Sequence, residues 1–122
     1  SIAVTGEGNS TTTNLQQGLA KFFFKYSGSG TTFADSLNMT SATDNGTGDY
    51  TFTIANDMAS INYSISGTGA NSSGSGTNTP IMGLERGSTP TTTAFTVACK
   101  FNQDSSLNDS DQVFGTGHGD LA

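Results

Sequence analysis

The chain has 122 residues, a formal net charge of −6 and only 11% charged residues. Its basic residues are Lys21, Lys25, Arg86 and Lys100, too few and too scattered for the phosphate-contacting cluster that nucleic-acid binding requires. No run approaches the about 20 apolar residues of a membrane helix, and the N-terminus lacks the basic-then-apolar order of a secretory leader.

This length suits one domain, and the expected division is an N-terminal arm over residues 1–17 followed by a single domain over 18–122. Ser1 reads as the residue left by a trimmed initiator Met, the start of a complete gene product. Hydrophobic residues make up 32% of the chain, yet it holds eight Phe and three Tyr, which argues against disorder and for short strands joined by Gly- and Asn-rich turns. Cys99 is the only cysteine, so no intramolecular disulfide forms, and its apolar neighbours predict a buried thiol.

In chain order, the arm is polar, and Leu15–Gly18 can close at most one helical turn. An ordered arm needs something to lie against, which makes Leu15 a candidate interface residue. Leu19–Tyr26 is the first strong strand, with Ala20, Phe22, Phe24 and Tyr26 on its core face. Phe23 between Lys21 and Lys25 falls on the other face, so Phe23 and Lys25 are candidates for an edge or a subunit contact. A weaker strand spans Thr31–Met39, with Phe33, Leu37 and Met39 expected inward. Asp44–Asp49 is the clearest turn, because Asn-Gly supplies the positive φ of a tight reversal.

Tyr50, Phe52 and Ile54 then alternate with Thr, and Ile61, Tyr63 and Ile65 repeat the pattern, so Ala55–Ser60 is expected to join neighbouring strands. Gly67–Pro80 is almost wholly Gly, Ser, Thr and Asn and predicts a long exposed loop, with Asn71, Ser73 and Asn78 as its candidate outward residues. Ile81–Leu84 is a minor strand, Thr92–Phe101 the second strong one with Phe95, Val97, Cys99 and Phe101 on one face, and Gln112–His118 closes the set. Roughly six to eight short strands at about 8–12-residue spacing predict an all-β antiparallel sandwich, Ig-like or jelly-roll-like.

Chemistry-bearing residues are sparse. His118 beside Asp120 has no evident nucleophile or third ligand, so His118 reads as the end of the last strand and a candidate interface residue. Asp44, Asn45 and Asp49 lack the spacing and terminal Glu of a calcium loop, and the glycines explain them as a hairpin. Asp104, Asp109 and Asp111 read as a solvated acidic face. Glycoside cleavage wants two placed carboxylates in a setting that raises a pKa, which the sequence does not offer. No catalytic residue, metal ligand or cofactor is expected.

Three stretches, Asn14–Lys21, Thr43–Thr51 with its Asp-Asn-Gly-Thr-Gly-Asp-Tyr run, and the ending His118–Ala122, resemble a module of tailed bacteriophages of marine bacteria, found as a C-terminal piece of tail-fibre proteins or as a small virion protein. The chain departs from that pattern where the module commonly has Trp after the Ala-Lys pair and this chain has Phe22-Phe23-Phe24. The resemblance implies a non-enzymatic virion-surface structural protein. A capsid decoration or cement protein comes first, stabilising the particle through contacts with itself, as a trimer, and with the major capsid protein or other virion proteins. The alternative is a tail-fibre tip that binds a host-surface glycan or protein, with Tyr63, Asn71 and Arg86 as its contacts.

Overall fold

The computed structural model describes residues 2–6, 8, 10–74 and 78–122. Strands β1 (Ala3–Thr5) and β2 (Thr12–Asn14) pair as a ribbon and lead into the one-turn helix α1 (Leu15–Gly18), whose cap is the Asn14 side chain accepting from Gln16 N at 2.9 Å. The body comprises β3 (Phe22–Ser27), β4 (Thr32–Leu37), β5 (Met39–Gly46), β6 (Asp49–Ile54), β7 (Ser64–Ala70), β8 (Pro80–Leu84), β9 (Ala94–Phe101) and β10 (Gln112–His118). They form two antiparallel four-stranded sheets, ordered β4-β3-β10-β7 and β5-β6-β9-β8, packed as a sandwich. Strands β7 to β10 wind as a Greek key in the spatial order β10-β7-β8-β9, the β7-to-β8 step crossing between sheets.

The core follows from period-2 alternation. Phe22, Phe24 and Tyr26 of one sheet face Tyr50, Phe52, Ile54, Phe95, Val97 and Cys99 of the other, all buried. Phe24 stacks on Phe52 at 4.4 Å and Phe22 on Phe95 at 5.3 Å between ring centroids, while Tyr26 meets Phe52 edge-on. Strand β10 supplies space instead of bulk. Gly115 lies opposite Phe24 and Gly117 opposite Phe22, and a Cβ at either glycine would overlap its partner's ring. Few apolar residues therefore suffice, because large rings spread over glycine backbone.

Several boundaries differ from the sequence reading. The first strand starts at Phe22, not Leu19, and Ala20 is only half-buried. Thr31–Met39 is not one strand: Asn38 adopts φ 57°, and the chain passes there from β4 in one sheet to β5 in the other. That break resets the alternation and leaves Leu37 outside, 50% exposed. Asn38 holds the crossing, donating through Nδ2 to Lys21 O and accepting at Oδ1 from Asn56 N at 2.7 Å.

Ala55–Ser60 likewise joins strands of different sheets, not neighbours, and buries Met58 on the way. Ile61, expected inward, is exposed, because β7 begins only at Ser64. The expected loop from Gly67 is strand as far as Ala70, since Gly67 and Gly69 face inward where Met82, Pro80 and Ser110 occupy the space a side chain would need. Ser75, Gly76 and Thr77 of that loop lie outside the described residues. The expected arm is not featureless, being the β1-β2 ribbon with α1 at its root.

Candidate functional site

The outer face of β4-β3-β10-β7 mixes aromatic, charged and hydroxyl groups. Antiparallel register sets two rows across it: Leu37, Phe23, Thr116, Ser66, and then Asp35, Lys25, Phe114, Thr68. Phe23, Lys25, Phe114 and Thr116 point outward because their strand neighbours face the core, and the residues on β4 and β7 join them through the register. Phe23 is 37% exposed, and Leu37 beside it extends the apolar strip. Lys25 Nζ sits 5.4 Å from the Phe114 ring centroid, a cation–π contact across the two strands. Between the rows runs a shallow cavity of about 530 Å³. Its far rim carries hydroxyls, with Ser66 Oγ and Thr116 Oγ1 3.4 Å apart.

Three of the four expected interface residues share this face. Phe23 and Lys25 lie on β3, and His118 stands exposed at the end of β10, opposite Ser64. Leu15 does not join them; it is half-buried at the root of the ribbon. Phe114, opposite Lys25 on β10, belongs to the face as well.

The loop residues behave differently. Asn71 is half-buried and uses both ends of its amide, Nδ2 donating to Asn108 Oδ1 and Oδ1 accepting from Asp111 N, each at 3.1 Å. Asn78 is also half-buried, accepting from Gln103 N, whereas Ser73 is exposed. Tyr63 donates to Thr91 O at 2.8 Å and packs edge-on against Phe22. Tyr63 and Asn71 flank opposite ends of β7, about 25 Å apart at strand rise, so they form no common site with Arg86.

The acidic residues 104, 109 and 111 are not simply a solvated face. Asp109 Oδ1 accepts from Gly48 N and from the buried Tyr50 hydroxyl, both at 2.7 Å, and so ties the β9–β10 loop to the β5–β6 hairpin. Asp111 Oδ2 accepts from Ser72 N at 2.8 Å and Ser72 Oγ at 2.6 Å, bonds that hold its carboxyl below the usual range. Asp104 is lowered likewise by Ser106. Burial raises the Tyr50 hydroxyl far above its ordinary value, and its hydrogen bond to Asp109 adds to the shift. Burial also pushes the Cys99 thiol up to about 11, which leaves it protonated and unreactive at neutral pH. Tyr26 Oη is buried with no hydrogen-bond partner among the described residues.

In the Asp44–Asp49 turn the side chains serve the hairpin. Gly46 N donates to Asp44 Oδ1 at 2.9 Å, and Asn45 Nδ2 donates to Asp49 Oδ1 and Thr51 Oγ1. Among the described residues no group of three or more His, Cys, Asp and Glu is placed to hold a metal ion. The molecule belongs to the class of antiparallel β-sandwiches, with one sheet presenting a mixed aromatic and hydroxyl face. No family model, curated protein or solved structure matches the chain.

Proposed function

We propose that this chain is a non-enzymatic structural module of a bacteriophage particle surface, most simply a capsid decoration protein that docks through the outer face of β4-β3-β10-β7. The observation that carries the docking role is Leu37 and Phe23 exposed side by side across β4 and β3, with the Lys25–Phe114 pair in the next row. The phage setting rests on the resemblance of Asn14–Lys21, Thr43–Thr51 and His118–Ala122 to the marine-phage module. The carboxylates fit a structural role, since Asp104, Asp109 and Asp111 all brace loops through hydrogen bonds. A protein that binds only the assembled shell stabilises it by mass action.

A count of this chain on purified particles by quantitative mass spectrometry, with density imaging, tests the reading. Hundreds of copies over the head are expected. Three to a few tens confined to the tail would replace it with the fibre-tip role and host-surface recognition. The Phe23→Asp, Leu37→Asp double variant should fold normally yet fail to attach. Normal attachment of that variant would remove this face from the contact.

A further inference from the structure

We propose that the N-terminal ribbon is an exchange arm, the Ile2 and Val4 strip of one copy seating in the groove between Leu19, Ala20 and Leu121 of a second copy. Neither β1 nor β2 is hydrogen-bonded into either sheet. A lone two-stranded ribbon is marginal in water and needs packing against something else. Ile2 and Val4, two residues apart, share one side of the ribbon, and both are open to solvent at 65% and 49%. Leu15 N donates to Ile2 O at 2.7 Å, which places Leu15 opposite Ile2 and extends the strip to the ribbon's root.

The acceptor lies at the same end of the molecule. A cavity of about 560 Å³ is lined by Leu19, Ala20 and Leu121, with both leucines exposed, at 54% and 43%. Its walls are already built. Leu121 bridges to Met58, Ala122 N donates to Asp57 O at 2.9 Å, and Ala59 N donates to Asp120 O at 2.8 Å. Lys21 on the rim is turned back, its ammonium donating to the carbonyls of Gln16 and Leu19.

Three features select a second copy as occupant. The ribbon springs from α1, whose Gln16 lines the groove, yet its own strip stays exposed and so does not fill that groove in cis. The strands β1 and β2 are uncharged, and the aliphatic part of the groove, Leu19, Ala20 and Leu121, matches them in chemistry, while Gln16, Lys21, Asp120 and Ala122 complete its lining. Every copy carries both halves, and repetition of one donor–acceptor contact gives a ring where the rotation between copies closes and a filament where it does not. With each copy at net −6, salt screens the repulsion between copies and so strengthens the exchange.

The exchange names the partner within the assembly reading above, and it is tested in solution without particles. Val4→Cys and Leu121→Cys are placed on separate, differently tagged chains and mixed under mild oxidation; buried Cys99 stays silent. A mixed-tag disulfide is expected, and its absence overturns the exchange. Light scattering over a concentration series should show self-association that rises with salt and falls at least tenfold in the Ile2→Asp, Val4→Asp double variant, with the urea midpoint unchanged. Leu121→Ser should reproduce the loss from the acceptor side. A monomer up to about 1 mM, or association indifferent to these variants, overturns the exchange and leaves the particle census to judge the assembly reading separately.

Discussion

Asp109 offers the sharpest test of how the loops are held, because its two donors are buried while the carboxylate itself is exposed. Asp109→Ala removes the acceptor and strands the Tyr50 hydroxyl and the Gly48 N–H. Each orphaned donor costs about 1–3 kcal/mol, and water entering the loop offsets part, so a total of about 2–4 kcal/mol is expected. Tyr50→Phe removes a donor instead, and the carboxylate keeps Gly48 N and solvent; about 1 kcal/mol is expected. The double variant should therefore be more stable than Asp109→Ala alone, since one orphan has gone. Urea unfolding followed by circular dichroism reads this out. At about 1.5 kcal/mol/M, Asp109→Ala shifts the midpoint by about 1.3–2.7 M. Equal losses for the two single variants, or strict additivity in the double, would refute the assignment of Asp109 as acceptor for both groups.

Three further outcomes are expected. Tyr26→Phe deletes a buried hydroxyl that has no hydrogen-bond partner among the described residues and should be neutral or stabilising by up to about 1 kcal/mol in the same urea assay. Gly117→Ala, whose new methyl would overlap the Phe22 ring, should cost about 1–3 kcal/mol, while Gly83→Ala, with open space around it, should lie within about 0.5 kcal/mol of the parent. Stability should fall at alkaline pH: Cys99, Tyr26 and Tyr50 all have raised pKa values in the fold, so their contribution is full below the unfolded values of 9.0 and 10.0 and is lost as pH rises through the folded ones. Urea midpoints between pH 8 and 12 check the sign, and Cys99→Ala should abolish the part of the decline that starts near 9 and levels off near 11.

The strands that carry large side chains were legible from sequence because alternation alone sets their faces. Phe22, Phe24, Tyr26, Tyr50, Phe52, Ile54, Phe95, Val97 and Cys99 all lie where the pattern predicts. Alternation fails where a sheet change interrupts it, and nothing near Leu37 announces that Asn38 takes φ 57° and turns the chain into the other sheet. Gly67 and Gly69 read as loop because the groups that fill their space, Met82, Pro80 and Ser110, come from distant parts of the chain. Phe23 and Lys25 announced the outer face through their position among core residues. Its other half was hidden, since Leu37 and Phe114 join it only through cross-strand register.

The place of β10 has a consequence for how the protein is made. It is the last strand in chain order, yet it lies inside its sheet, between β3 and β7, which have no hydrogen bonds to each other. On the ribosome, β3 and β4 can meet as a hairpin, but β7 has no in-sheet partner until Gln112–His118 has emerged. Until then the rings of Phe22 and Phe24 lack the glycine backbone that covers them. The nascent chain thus carries open strand edges and bare aromatic rings until β10 has emerged, a state prone to aggregation and slow to resolve. A stop codon between Cys99 and Gln112 should send the product to inclusion bodies, even though every core residue but Val113 has by then been translated.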